Sequence, residues 1–331
     1  MQRSRSTRVN IAKVRSTSAD STTPVAVRVV KRTARWAAVL LCAAVGSFIV
    51  MDLLPGDAAT VIARTSDQAR IDAIRADLGL DRPLSVRLWE WFSGLFFSGD
   101  GGTLFASQRS VWEASAFAAR NSAYLIAIAL PLLLVIGVGT GVFAGLAPSS
   151  WRDRLTCLGA QSTLATPDFA VTALLLAVLA GALKLAPAVS LVPPGGTPAD
   201  NPGALIIPSL AIALVGGAWL QRLVRAAVVD AQALPHVRAA HLSGMHPLSV
   251  LRLHTLPAAF GQIAQASAAT IPYVVAGTVV VENVVGYPGI GTTVTHFVVF
   301  RETVAVATLT TVFAAVTVAS FALADVIGRH R

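Results

Sequence analysis

Six apolar stretches dominate this chain, at about 34–54, 123–146, 164–186, 204–221, 263–281 and 303–327. A helix that crosses a bilayer needs about 20 consecutive apolar residues. In hydrocarbon every backbone N–H and C=O must be satisfied within the protein, which leaves helices or a closed barrel. Runs of this length without strict alternation specify helices. The expected fold is an all-α integral membrane protein with six transmembrane helices. Composition agrees: 13% of residues are charged and 54% hydrophobic, whereas a soluble domain is about a quarter charged.

The distribution of charge orients the spans. The chain carries 26 Lys+Arg against 17 Asp+Glu, a net charge of +9. In a soluble protein this would suggest nucleic acid. Here the basic residues flank apolar runs, so topology control and contact with anionic lipid account for them, and no nucleic-acid partner is expected. Nine basic residues precede or open the first span, and Arg152 with Arg154, Arg222, Arg225, Arg238 with Arg252, and Arg329 with Arg331 mark alternate connections. Loop 187–203 has no Lys or Arg, and 282–302 has Arg301 against Glu282 and Glu302. The positive-inside rule then puts both termini in the cytoplasm of a multi-pass membrane protein. The Ser-, Thr- and Arg-rich start has no apolar periodicity and reads as a disordered basic tail over 1–33, ahead of a transmembrane domain over 34–331. The first span is too long for the apolar core of a cleavable signal.

Several chemistries are missing from the sequence. There is no P-loop, and the only lysines, Lys13, Lys31 and Lys184, lie in no Gly-rich loop, so ATP hydrolysis by that route is excluded. No HExxH or GxSxG occurs, and no catalytic residue is assigned. Cys42 and Cys157 offer neither a disulfide nor a CxxC site. His236, His241, His246 and His254 do not stack on one helical face, and no metal site is expected. Asp168, Lys184 and Asp325 are read as lying near span ends, within reach of headgroups. On that reading no ionisable group sits at mid-membrane, which weakens a stand-alone, ion-coupled secondary transporter. A membrane scaffold or sensor that transports nothing is a third reading.

Two connections are long enough to hold structure. In the loop 55–122, Asp67 to Gly79 has helical spacing of Ile71, Ile74 and Leu78, and Trp89, Trp91, Phe92, Phe96 and Phe97 suit a membrane interface. Pro55, Gly56 and Asp57 suit a cap and turn after the first span. In the loop 222–262, Pro235 can start a short helix over His236–Ser243, with Gly244 ending it in a left-handed conformation. His246-Pro247 breaks the chain, and Leu248–Leu256 can form a second short helix. Val237, Ala240 and Met245 or Leu248 would face inward, with Arg238 and His241 outward.

At these residues the sequence resembles the permeases of binding-protein-dependent ABC importers, in the dipeptide/oligopeptide/nickel group. His236-Val237-Arg238-Ala239-Ala240-His241-Leu242-Ser243-Gly244-Met245 is similar to the family's cytoplasmic E-A-A…G loop. Leu54-Pro55-Gly56-Asp57, Leu78-Gly79-Leu80-Asp81-Arg82-Pro83-Leu84 and Gly99-Asp100 resemble its conserved-order motifs in the first outer loop. Val281-Glu282-Asn283-Val284-Val285-Gly286-Tyr287-Pro288-Gly289-Ile290-Gly291 resembles its V-E…P-G-x-G segment. The order and the long first loop resemble the first of two paired permeases. The resemblance implies a type I importer fold and a subunit that forms half of a pathway for short peptides or similar solutes. It implies a second homologous permease, two P-loop ATPase subunits that bind ATP in place of any cofactor on this chain, and an extracytoplasmic substrate-binding protein. It implies ATPase coupling through 234–257 and an outer loop facing the pathway at Glu282, Pro288, Gly289 and Gly291. The sequence departs from the family's pattern at Arg238, Leu242, Ser243 and Pro257.

Overall fold

The computed structural model describes residues 25–64, 67–193 and 195–329. Among these residues there is no β-strand, only an isolated bridge between Thr103 and Ser110. Helices α1 (Val25–Leu53), α5 (Val111–Gly145), α8 (Ile206–Gln232) and α14 (Thr303–Arg329) are long. Helices α10 (Pro247–Val250), α11 (Leu256–Ala269) and α12 (Ile271–Val285) form one run over 247–285. A bent pair, α6 (Trp151–Ala165) and α7 (Asp168–Leu175, continued to Ala182 by a π-helical turn), supplies the sixth span if counted as one. The described residues thus hold five helices long and apolar enough to cross a membrane, or six with the bent pair.

The core is the pairing of α5 with α8. Gly137, Gly141 and Gly145 recur every fourth residue on one face of α5. A Cβ at these positions would come within 2.7 Å of Leu220 Cβ, 2.7 Å of Val224 Cβ and 2.8 Å of Val228 Cβ. Both series run in the same chain direction, so the helices are parallel. Lipid tails are as apolar as leucine, so close van der Waals contact must hold such a pair together, and glycine permits it. Around this seam α1 packs antiparallel to α14: Arg32 Nη2 lies 3.0 Å from Asp325 Oδ2, and Trp36 stacks on Phe321.

The contacts divide the molecule into two ends. Gln232 Nε2 donates to Gly145 O at 3.0 Å, bringing the ends of α8 and α5 together. The turn after α5, the 233–246 connection, the start of α1 and the end of α14 share this end, where Arg152, Arg154, Arg222, Arg225, Arg238 and Arg252 face few acids, Asp153 and Asp230. At the far end α2 (Ala58–Ala63), α3 (Gln68–Asp77) and α4 (Leu84–Ser93) cap the bundle beside α13 (Ile290–Val299). Helix α3 matches the expected periodicity, with Asp67 accepting from Ala69 N at its start. Trp91, read from sequence as interfacial, is buried against Phe48 and donates to Thr308 Oγ1 at 2.9 Å, whereas Trp89 and Phe97 stay exposed.

Four expected boundaries shift. Helix α1 starts at Val25, so residues 25–33 of the expected disordered tail are helical; residues 1–24 lie outside the described residues. Helix α8 continues to Gln232 through what was expected as loop from 222, because Val224, Ala227, Val228 and Ala231 keep one buried face beyond Arg222 and Arg225. The expected separate helix over Leu248–Leu256 is instead the start of the 247–285 run. A π-helical turn over Leu251–Thr255 absorbs the backbone bond that Pro257 cannot make. The connection left between the spans is 233–246. Finally, the third span breaks at Thr166-Pro167, where α6 and α7 meet at 107°. Thr166 is extended, as a residue before proline prefers. Helix α6 replaces most of the expected loop 147–163.

Candidate functional site

The 233–246 connection is a folded knob. Pro235 opens α9 (Pro235–Leu242), and Gly244 closes it at φ +74°. Gly244 N donates to His241 O at 3.1 Å and Met245 N to Ala240 O at 3.3 Å. This is a Schellman closure, in which a left-handed residue turns the last carbonyls back into use. Its accompanying apolar contact is present: Met245 packs on Ala240, Val237 and Val250. His246 then caps the next helix, its Nδ1 accepting from Leu248 N at 3.3 Å. A Cβ on Gly244 would meet nothing within 4 Å, so backbone conformation, not space, selects glycine here.

The expected coupling residues separate by role. Val237 and Ala240 are buried and Met245 half-buried, holding the knob together; Val250, not Leu248, completes that small core. His236, Arg238, Ala239, His241 and Gly244 are exposed. Leu242, the last residue of α9, is 89% exposed. A cleft of about 350 Å³ beside the knob is lined by Leu146, Gln232, His241, His246, Leu248 and Leu251, among others. His236 and His254 approach each other with ring centroids 6.4 Å apart, but no group of three or more His, Cys, Asp or Glu among the described residues is placed to hold a metal.

Behind the knob lies an ion pair that sequence reading missed. Arg225 Nη2 on α8 approaches Asp153 Oδ2 on α6 at 2.7 Å. Asp153 is buried and also accepts from Ser149 N at 2.8 Å. Set between Arg152 and Arg154, Asp153 looks like one charge in a basic loop; only the fold turns it inward.

At the far end Glu282, Gly289 and Gly291, expected to face the pathway, are buried in a latch, while Pro288 is half-exposed. Glu282, at the end of α12, is fully buried. Its carboxylate accepts from Ser122 Oγ at 2.6 Å and from Gly291 N at 2.7 Å. Ser122 Oγ in turn accepts from Ile290 N at 2.7 Å. Tyr287 OH donates to Asn121 O, and Asn121 Nδ2 to Pro288 O at 2.9 Å. Side chains on Gly289 or Gly291 would collide with Glu282, and on Gly291 also with the α12 backbone at Val279. The segment is a hairpin clamped onto the first third of α5, with its carboxylate buried and engaged by Ser122 and Gly291. Nearby Glu302 accepts from Phe105 N and Ala106 N at 2.6 and 3.0 Å, tying the loop before α5 to the start of α14.

The motif after the first span behaves as a cap. Gly56 has φ +79°, Pro55 O accepts from Arg301 Nη2 at 2.8 Å, and Asp57 caps α2 by accepting from Thr60 N at 3.0 Å. Arg75 Nε lies 2.7 Å from Asp57 Oδ2 and joins α3 to the cap.

Asp168 also departs from expectation. It sits at the break between α6 and α7, and Tyr273 OH donates to its Oδ2 at 2.9 Å. The Tyr273 ring lies 3.3 Å from the Cβ position of Gly216, which is at the centre of the Pro202–Gln232 span. An ionisable group therefore does stand at mid-bundle.

Residues 137–330 match the family described as the binding-protein-dependent transport system inner membrane component, and residues 26–135 match that system's N-terminal membrane component. The chain is 30% identical to the glutathione transport system permease protein GsiC of Pectobacterium atrosepticum, over 80% of this chain and 83% of that protein. It is 28% identical to a putative peptide transport system permease protein of Brucella abortus, over 83% of this chain and 87% of that protein. The GsiC protein of Escherichia coli K12 is 29% identical over the same shares.

Proposed function

The chain belongs to the binding-protein-dependent transport system inner membrane component family, and on that premise we propose that it forms half of a pathway for short peptides or similar solutes in an ATP-driven importer. Relatives named for glutathione and for peptide transport support the substrate class. The other half of the pathway is a second homologous permease. Two P-loop ATPase subunits bind and hydrolyse ATP, which this chain has no motif to do, and a substrate-binding protein delivers cargo at the far end. Both termini and the knob face the cytoplasm, in line with the arginines at that end. Family membership also sets the stand-alone secondary transporter aside, which the charge argument from sequence no longer does.

The observation that carries the mechanism is the knob over 233–246, which lies within the 234–257 segment expected to couple and packs on Val250. A part that transmits displacement must not deform. The Schellman closure and the Val237–Ala240–Val250 core stiffen it, while Arg238, His241 and Leu242 are free to dock. Its root is held by Gln232 on Gly145 O and by Arg225 on Asp153, so a push at the tip moves α8, α6 and α5 together. Replacing Gly244 with Trp forces a side chain into a left-handed backbone. The expected result is normal membrane insertion with ATP hydrolysis uncoupled from uptake; uptake at the wild-type rate would overturn the assignment.

A further inference from the structure

We propose that Asp168, held by Tyr273 at the break of the third span, is a cation subsite in the pathway that takes an ammonium or guanidinium group of the transported solute. This rests on the importer reading for the identity of the ligand, but not for the existence of the site. The Asp168 carboxylate is half-buried at mid-bundle, beside Tyr273 and Gly277. Among the described residues no Lys or Arg pairs with it; its side-chain partner is the Tyr273 hydroxyl on Oδ2. Oδ1 has no partner there.

A carboxylate in this state cannot turn its open side to hydrocarbon, because ionisable groups at this depth face a water-filled cavity or another protein. Of these two surroundings we assign the open side to the water-filled pathway between paired permeases, because exposed polar residues precede it in the chain. The chain that leads into the break is polar and exposed. The last turns of α6 expose Gln161, Ser162 and Thr166. Gly277 is buried against the pair, its Cβ position 4.0 Å from both Asp168 Oδ2 and Tyr273 Cε1. Tyr273 donates to one oxygen and fixes the carboxylate, leaving the other to accept from a cation. A negative site of this kind is matched by the α-ammonium of a peptide.

Two measurements on the complete complex test this. In the first, Thr166→Cys in a chain with Cys42→Ser and Cys157→Ser is labelled with trimethylammonium-ethyl methanethiosulfonate and with its sulfonate counterpart. The cationic reagent should react several-fold faster, and Asp168→Asn should abolish the preference. Equal rates, or no labelling, overturn the proposal. In the second, uptake of a free-amine dipeptide at sub-saturating concentration should fall by roughly tenfold in Asp168→Asn and recover in Asp168→Glu, with ATP hydrolysis persisting. Unchanged uptake in the Asn variant, or equal loss in both variants, overturns it. If the wild-type complex takes up no peptide at all, the peptide reading fails while the labelling still decides the subsite.

Discussion

Single residues act in this chain mostly by what they prevent. Glu282 satisfies Ser122 Oγ–H and Gly291 N–H with one buried carboxylate. Glutamine in its place presents an NH2 where an acceptor is needed, and an unmet buried donor costs about 1–3 kcal/mol. Glu282→Gln should therefore lower the thermal midpoint of the purified complex without altering docking at the knob, as read by differential scanning fluorimetry. Asp57 gives a pH signature. Partial burial pushes its carboxyl up, but the Arg75 guanidinium and the Thr60 amide outweigh that and hold it below the ordinary 3.8. A lowered folded value means that its contribution is complete above 3.8 and disappears as pH falls through the folded value. Wild type should lose its stability advantage over Asp57→Asn on acidification below that point. Glu302 has the opposite sign: burial raises its carboxyl above 4.5 despite the Ala106 and Phe105 amides and the nearby His296. Its ionisation therefore costs stability as pH rises past the unfolded value, and Glu302→Gln should flatten that limb of the profile.

Elements show where sequence reading succeeds and fails. The apolar runs placed the spans because length and hydrophobicity are local properties, and the Gly244 closure was legible because only glycine enters that conformation without strain. The end of α8 was misplaced because Arg222 and Arg225 were read by charge, although Val224, Ala227, Val228 and Ala231 still recorded a buried stripe. Helix α6 was hidden because it alternates polar and apolar faces and never reaches the hydropathy of a span. The latch was invisible for another reason: Glu282 and Ser122 are 160 positions apart, and no local pattern joins them. The α5–α8 seam makes a prediction at this scale. Gly141→Leu would drive a side chain into Val224, and overpacking of this kind costs about 1–3 kcal/mol. The helices should part, with loss of assembled complex on size-exclusion chromatography. Gly139→Leu, on an open face of the same helix, should be tolerated.

At the scale of the whole molecule, the two ends are built for different work. The far end is a cap of short helices and buried carboxylates that fixes the hairpin after α12. The basic end offers one stiff projection whose root reaches α8, α6 and α5. Between them, the broken third span brings a carboxylate to the centre. The account requires the projection to meet an ATPase. The most direct test is photo-crosslinking from position 242 in the complete complex, with a benzophenone amino acid replacing Leu242, which is 89% exposed on the knob. The account predicts a covalent adduct with the ATPase subunit. An adduct with the substrate-binding protein, or with lipid alone, would contradict it.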